Sequence, residues 1–223
     1  TIAVVSTGDQ SPMMRRLAPQ TATAIAEYFR EQGENVLLIV DSITRYAHAA
    51  REVALAAGEP PVARGYPPSV FSDLPRLLER AGAGQEGTGC ITAIFSVLVD
   101  GDDHNDPISD SIRGTLDGHI VLDRTIAEQG RYPAVNPLTS ISRLAHLCWS
   151  QDQQRLVLTL RQMLSLFEET RDIRLLGGYK EGADPVLDKA VAVVPKVLEA
   201  LKQAPTDIPT TDAFTQLRDL LLS

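Results

Sequence analysis

The stretch that decides the fold is Val36-Leu37-Leu38-Ile39-Val40-Asp41-Ser42, in which five branched apolar residues precede a carboxylate. Such a run, without polar alternation, predicts a strand buried on both faces of a parallel sheet. A helix-like segment, residues 43–57, follows at once. Because open parallel sheets bind ligands beyond the carboxyl ends of their strands, Asp41 is well placed to hold a magnesium ion or its waters. The plain alternative is that Asp41 only caps the helix or opens a turn.

The neighbouring segments extend an α/β pattern in both directions. Residues 2–5 are predicted as a short buried strand, and apolar residues at helical spacing over residues 13–29 predict a helix that ends at Gly33. The order strand, helix, strand implies a parallel crossover. Farther along, Ser69 is expected to cap a helix, and residues 91–99 are the longest strand candidate.

The α/β pattern ends near Trp149, after one more strand predicted at residues 119–122. We therefore predict an α/β core over residues 1–149 and a helical domain over residues 150–223. Three apolar stripes are expected to form the core of the helical domain. They are Leu156, Leu160, Met163, Leu164 and Phe167; Leu187, Ala190, Val191, Val194, Leu198 and Leu201; and Phe214, Leu217 and Leu221.

Composition excludes several classes of function. The net charge is −8 and no run of Lys or Arg exceeds a pair, which argues against an autonomous nucleic-acid binder. The two cysteines, Cys90 and Cys148, lie among apolar residues, as expected for reduced core thiols in a cytosolic protein. No apolar stretch approaches the 18 or so residues of a membrane span.

An acid-rich stretch, Asp100-Gly101-Asp102-Asp103, follows the longest strand candidate. Acids at a strand end raise the possibility of calcium binding, but the spacing does not match the twelve-residue calcium loop with Gly at position six and Glu at position twelve. We therefore interpret residues 100–107 as a solvated loop.

Nine short motifs occur in this chain in an order and at spacings that are specific when taken together. They are Asp9-Gln10-Ser11-Pro12, Ala26-Glu27-Tyr28-Phe29-Arg30, Leu38-Ile39-Val40-Asp41-Ser42-Ile43-Thr44-Arg45, Gly58-Glu59-Pro60-Pro61, Gly65-Tyr66-Pro67-Pro68-Ser69-Val70-Phe71, Leu98-Val99-Asp100-Gly101-Asp102-Asp103, Leu116-Asp117-Gly118-His119-Ile120-Val121-Leu122, Tyr132-Pro133-Ala134 and Ser140-Ile141-Ser142-Arg143. With these motifs the chain resembles the latter half of the flagellum-specific and type III secretion export ATPases, which are related to the catalytic subunit of rotary ATP synthases. The resemblance implies an α/β fold: part of a RecA-like P-loop NTPase parallel sheet, followed by an α-helical domain.

The resemblance also implies a role for five residues. Asp41 would organise the magnesium–water shell of ATP, with Ser42 beside the nucleotide and Arg45 pointing toward the phosphates. Tyr132 would stack on adenine, and Arg143 would be an arginine finger that reaches the nucleotide of a neighbouring subunit. From the residues alone, Arg45 could equally form a salt bridge, Arg143 could be an ordinary surface residue, and Tyr132 could simply pack in a core.

One motif of this family is missing. No G-x-x-x-x-G-K-[ST] occurs, because Gly87-Thr88-Gly89 lacks the lysine and Gly177-Gly178-Tyr179-Lys180 lacks the spacing. In the family, this phosphate-binding loop and the glutamate that polarises water precede the segment that matches Thr1. We expect that the chain is truncated, that it does not bind or hydrolyse ATP alone, and that the longer protein does.

The resemblance further implies ATP and magnesium as ligands and a homohexameric assembly. Residues 58–68 and 100–107 would line a central pore beside a stalk protein, and the C-terminal helices would face the export gate, export substrates and chaperones. Regulator proteins are expected partners and nucleic acid is not; the expected location is cytoplasmic, peripheral at the inner membrane. Three alternatives stay open: a virulence-type secretion ATPase, a rotary synthase subunit, or a non-catalytic assembly module.

Overall fold

The computed structural model describes residues 1–99 and 106–222, and the chain divides into two compact units, residues 1–116 and 117–223. The first unit contains α1 (Pro12–Glu31), β1 (Val36–Val40), α2 (Ile43–Ala56), α3 (Pro68–Leu78), β2 (Gly82–Ala83), β3 (Cys90–Phe95) and α4 (Pro107–Thr115). The second contains β4 (Gly118–His119), α5 (Arg124–Glu128), β5 (Ile141–Ser142), α6 (Ala145–Cys148), α7 (Gln151–Glu169), α8 (Arg171–Leu175), α9 (Pro185–Ala200) and α10 (Ala213–Leu222). The predicted domain boundary after residue 149 stays a prediction, and the acid-rich residues 100–103 lie outside the described residues.

A small mixed sheet forms the centre of the first unit. Strands β1 and β3 run parallel, with Val36 opposite Ile91 and Val40 opposite Phe95. The two-residue strand β2 pairs antiparallel with β3, so the order is β1-β3-β2. The strand predicted at residues 36–40, its place in a parallel pair and the helices on either side of it are therefore confirmed. The parallel crossover expected between residues 2–5 and 36–40 does not form, and β2 arises in a segment for which no strand was predicted.

The prediction that β1 is buried on both faces is wrong for this chain. Leu38 and Val40 are 8% exposed and pack with Ala26 of α1 and Ile91 of β3, whereas Leu37 and Ile39 are 61% and 64% exposed. Side chains alternate across a strand, so a helix on one side covers every second residue only. The continuous apolar run therefore places apolar side chains on both faces of β1. Helix α1 covers one of these faces, and no described residue covers the other.

Residues 2–5 also differ from the prediction. They form no strand, and Ile2 and Val5 are 59% and 74% exposed. An apolar run becomes a strand only where another strand supplies backbone hydrogen bonds. Among the described residues no strand pairs with this segment.

Three shorter predictions were wrong in detail. Strand β3 ends at Phe95 instead of residue 99, because the chain then bonds to the start of α2. Pro67, not Ser69, occupies the N-cap position of α3, and the Ser69 N–H donates to the Glu59 carboxylate at 2.8 Å. Of the strand predicted at residues 119–122, only His119 belongs to β4, whereas Leu122 forms an isolated bridge with Val135.

Helices α2, α3 and α4 share the larger core of the first unit. Their apolar residues are among the most deeply buried in the described chain. The core consists of Ile43, Tyr46, Ala47, Ala50, Tyr66, Val70, Leu74, Leu77, Leu78, Ile108 and Ile112. This packing fixes the start of α2, and with it the position of the chain directly after β1.

The second unit has a helical core, as the three stripes predict, but Leu201 of the second stripe is 40% exposed, and Val193 and Val197, which lie outside the stripes, are buried. Buried residues of α7 and α9 form its centre, and α10 adds partly buried leucines. The buried members are Leu160, Met163, Leu164, Ala190, Val193, Val194 and Val197. Within residues 1–99 and 106–222, no helix combines the length and the apolar character needed to cross a membrane.

An ion pair joins α1 to the chain after α3. Arg80 donates from Nε to Glu27 Oε1 at 2.8 Å and from Nη2 to Glu27 Oε2 at 2.6 Å. The Arg80 guanidinium lowers the pKa of Glu27, and the Glu27 carboxylate raises the pKa of Arg80. Both side chains keep a quarter to a third of their exposure, so water screens much of this attraction.

Replacing Glu27 with glutamine is expected to lower the free energy of unfolding by about 1 kcal/mol at pH 7. A lowered folded-state pKa stabilises the fold above the ordinary Glu pKa of about 4.3, and this stabilisation disappears as the pH falls through the lowered value. Urea unfolding of the two proteins should therefore converge at acid pH. Glu31→Gln, in the same helix but without an ion pair to a described residue, is the control. A constant difference from pH 7 to pH 3 would contradict the assigned role.

Candidate active site

The centre of the candidate site is the junction where β1 ends and α2 begins. Asp41 follows the last residue of β1 and is exposed at the carboxyl end of the parallel strands. Its Oδ1 accepts a hydrogen bond from the Ser96 hydroxyl at 2.9 Å. Asp41 Oδ2 accepts no hydrogen bond from residues 1–99 or 106–222. One carboxylate oxygen is thus fixed by the protein and the other is available to a ligand.

The capping alternative for Asp41 does not agree with this geometry. Ser42 occupies the N-cap position of α2. The first free N–H groups of the helix bond elsewhere: Ile43 N–H donates to Ser96 O at 3.0 Å, and Arg45 N–H donates to Ser42 O at 3.2 Å. The Asp41 carboxylate is therefore oriented by Ser96 and does not close the end of α2.

Ser42 and Arg45 lie next to Asp41 with opposite exposures. Ser42 is 4% exposed, and its hydroxyl is buried without a hydrogen-bond partner in the described part of the chain. Arg45 is exposed, and its guanidinium forms no salt bridge with residues 1–99 or 106–222. A buried orphan hydroxyl calls for a partner, and an exposed guanidinium is available to an anion. Roles for both residues beside a nucleotide stay predictions.

Two polar residues, Ser96 and Thr44, link the chain after β3 to β1 and α2 by hydrogen bonds, and neither was identified as a site residue from the sequence. Ser96 N–H donates to Val40 O at 3.0 Å, continuing the parallel ladder by one residue. The Thr44 hydroxyl accepts from Leu98 N–H at 2.9 Å and donates to Leu98 O at 3.2 Å. Ser96 is the one polar residue between Ala93 and Val99. The sequence signal that could have identified Ser96 is its position as a polar residue near the end of an apolar run, at the same sheet edge as Asp41.

The donor set at this junction fits magnesium. Mg²⁺ commonly binds through one or two carboxylates together with waters and substrate phosphates, not in a cage made by protein alone. A single exposed carboxylate with one oriented oxygen, Asp41, agrees with that pattern. Within residues 1–99 and 106–222, no cluster of three or more His, Cys, Asp or Glu side chains forms such a cage.

In the second unit, Tyr132 presents its ring to the surface. The side chain is 58% exposed, and the Tyr132 carbonyl accepts from Gln203 N–H at 2.9 Å. The ring is therefore not part of the core of this unit. An exposed aromatic face is suited to stacking on a planar base, and the adenine role stays a prediction.

Arg143 follows β5 and is exposed. Its N–H donates to Asp117 O at 2.8 Å, just before Gly118 pairs with Ser142 across the β4–β5 ladder. A Cβ on Gly118 would lie 2.5 Å from Ile141 O, so only glycine allows this close approach. The backbone at Arg143 is thus held in place by a hairpin-like contact that requires glycine at position 118.

An Asx-type network supports the loop between Tyr132 and Arg143. Asn136 Nδ2 donates to Asp123 Oδ2 at 3.0 Å, and Asn136 Oδ1 accepts from Leu138 N–H at 3.0 Å. The Asn136 amide, assisted by the N–H of Thr125, holds the pKa of Asp123 below its ordinary value. These bonds order the chain that carries the two predicted nucleotide contacts of this unit.

Comparison with protein families gives two matches that together span most of the chain. Residues 1–142 match the ATP synthase alpha/beta family, nucleotide-binding domain. Residues 149–219 match the T3SS EscN ATPase C-terminal domain.

Curated relatives and solved structures agree with these matches. The chain is 64% identical over 220 residues to a flagellum-specific ATP synthase of Rhizobium meliloti (strain 1021), covering 99% of this chain and 47% of that protein. It is 51% identical over 208 residues to the flagellum-specific ATP synthase of Bacillus subtilis (strain 168), covering 93% of this chain and 47% of that protein. The assembled ATPase EscN of the enteropathogenic E. coli type III secretion system superposes with a TM-score of 0.91 at 43% identity, covering 98% of this chain and 52% of EscN. The chain thus spans about half the length of the curated relatives it matches.

Proposed function

Because the chain belongs to the ATP synthase alpha/beta family, we propose that the whole protein hydrolyses ATP to energise flagellar, type III protein export. The observation that carries this proposal is the 64% identity to a flagellum-specific ATP synthase along 99% of the chain. The fold is that of a partial RecA-like nucleotide-binding domain followed by a helical domain, as the likeness to EscN supports.

Asp41 is the residue we assign to magnesium. Bound magnesium would neutralise charge on the transferred phosphoryl group. Ser96 donates to Asp41 Oδ1 and the Asp41 side chain is exposed, so the carboxylate is oriented before a ligand arrives. Ser42 and Arg45, on the same turn, are assigned to the nucleotide and its phosphates.

Arg143 and Tyr132 are assigned to phosphoryl charge and adenine, respectively. A planar guanidinium with five donors stabilises the charge that develops during phosphoryl transfer, and an exposed position allows it to act on the nucleotide of a neighbouring subunit. We propose a homohexamer in which each site is completed in this way. Support comes from EscN, whose structure is described as that of an assembled ATPase.

Partners follow from the same likeness. EscN has been solved in complex with its central stalk EscO, and the chain superposes on EscN of that complex with a TM-score of 0.85 at 42% identity, over 98% of this chain and 51% of EscN. We propose a corresponding stalk for this protein, together with regulators, export substrates and chaperones. The proposed location is the cytoplasm, with peripheral association at the inner membrane through the export gate.

A virulence-type secretion ATPase is the second candidate. It is favoured by the match of residues 149–219 to the EscN C-terminal domain. Deleting the gene decides between them: loss of flagellar filaments, restored by the plasmid-borne gene, supports the first candidate, and normal filaments with lost effector secretion support the second.

The ATPase activity itself is tested with the purified whole protein. We expect phosphate release from ATP that depends on magnesium. The rate of release should rise more steeply than linearly with protein concentration, because the subunits assemble. Absence of release under assembling conditions, with the protein folded by circular dichroism, would contradict the proposal.

The 223-residue chain by itself is expected to bind ATP only in the millimolar range or not at all, because its sequence contains no G-x-x-x-x-G-K-[ST] loop to hold the phosphates. Calorimetric titration with MgATP measures this affinity, and the whole protein is the positive control. Micromolar affinity for the isolated chain would show that phosphate binding needs no such loop.

A further inference from the structure

We infer that Ser96 is a positioning residue for the magnesium-binding carboxylate, an inference that rests on the function proposed above. Its hydroxyl donates to Asp41 Oδ1 at 2.9 Å. Ser96 itself is assigned no contact with magnesium or nucleotide. Its role is to select one orientation of Asp41 from those that the exposed side chain can adopt.

The backbone around Ser96 is fixed on both sides. Ser96 N–H donates to Val40 O, and Ser96 O accepts from Ile43 N–H, each at 3.0 Å. The residue is therefore held by the strand before Asp41 and by the helix after it. Such a hydroxyl has little freedom to follow a moving carboxylate, so the carboxylate is held by the hydroxyl instead.

The chain beyond Ser96 is held as well. Thr44 bonds to both backbone groups of Leu98 through its hydroxyl, at 2.9 and 3.2 Å. Residues 96–98 thus stay aligned with the start of α2 even though β3 has ended at Phe95. This attachment gives Ser96 a rigid base in an exposed part of the molecule.

The chemical consequence is a pre-oriented ligand. An aspartate side chain at the surface has several rotamers, and a metal that needs near-octahedral geometry binds only some of them. A hydrogen bond to one oxygen removes part of that ordering cost and leaves the second oxygen to the metal or its waters. Residues that orient metal ligands in this way typically contribute 10–100-fold in metal affinity or activity.

The test compares Ser96→Thr with Ser96→Val in the whole protein, because these two variants differ by a hydroxyl in place of a methyl group. Ser96→Val is expected to raise the magnesium concentration for half-maximal hydrolysis by about 10–100-fold. Ser96→Thr should stay near the unmodified protein. Ser72→Ala is the control for loss of a serine, because it removes an exposed hydroxyl that, among the described residues, bonds only to Ser69 O on α3.

A second readout does not depend on turnover. Calorimetric binding of ADP is measured with magnesium and again with EDTA for each variant. The gain in affinity that magnesium gives should shrink in Ser96→Val and persist in Ser96→Thr, while binding in EDTA and the melting temperature stay the same in both.

Two outcomes overturn the inference for different reasons. If the unmodified protein hydrolyses ATP and the variants Ser96→Val and Ser96→Thr show the same magnesium dependence, the Ser96 hydroxyl does not position Asp41. The proposed function is then unaffected. Absence of hydrolysis by the unmodified protein removes the proposed function, and the role of Ser96 with it.

Discussion

Arg143→Ala in the whole protein is expected to lower the rate of ATP hydrolysis by roughly 10³–10⁵-fold, as loss of an arginine finger does in other phosphoryl-transfer enzymes. The reason is electrostatic: the guanidinium acts on charge that develops only in the transition state. Nucleotide binding in the ground state should therefore change by only a few-fold. Steady-state phosphate release and binding of a fluorescent ATP analogue measure the two quantities separately.

The matched control is Arg155→Ala. Arg155 is an exposed arginine of α7 whose salt bridge to Asp152 spans 3.6 Å between two side chains that are 76% and 92% exposed. Such a pair contributes little, so this variant should keep normal turnover. Equal losses of binding and turnover in Arg143→Ala would assign Arg143 to substrate binding or to folding, not to the transition state.

The sequence predicted the position of Asp41 because its evidence is local. An apolar run ends, a carboxylate follows, and a helix begins within two residues. Each of these features depends on short-range propensity and period. The same reasoning found α1, α7 and α9, whose apolar stripes are long enough to exclude a strand.

What the sequence could not supply is the pairing between distant segments. The Ser96–Asp41 hydrogen bond exists because Val40 lies opposite Phe95. This register cannot be determined from the sequence of either strand alone. The need for glycine at position 118 likewise depends on Ile141 O, 23 residues later in the chain. The exposed faces of Leu37 and Ile39 follow from which elements cover the sheet, and apolar composition does not specify this.

Asp41→Asn in the whole protein is expected to reduce magnesium-dependent hydrolysis by about three orders of magnitude, since a correctly held metal supplies several kcal/mol of charge stabilisation and each 1.36 kcal/mol is tenfold in rate. Asparagine has the same shape, and its carbonyl can still accept from Ser96, so the fold should persist. The affinity for ADP in EDTA should be unchanged, and magnesium should no longer increase that affinity. Asp152→Asn, which changes a 92% exposed carboxylate, is the control.

The two variants together test whether Arg143 acts across a subunit boundary. If each site combines Asp41 of one subunit with Arg143 of the next, mixing Arg143→Ala with Asp41→Asn creates some interfaces that contain both native residues. Activity should then reappear on mixing two nearly inactive proteins and disappear when assembly is prevented by dilution. If Arg143 served only its own subunit, the Asp41→Asn subunits would lack the carboxylate, the Arg143→Ala subunits would lack the guanidinium, and no mixture would recover hydrolysis. Unmodified protein mixed with each variant calibrates subunit exchange, so that failure to exchange is recognised as such.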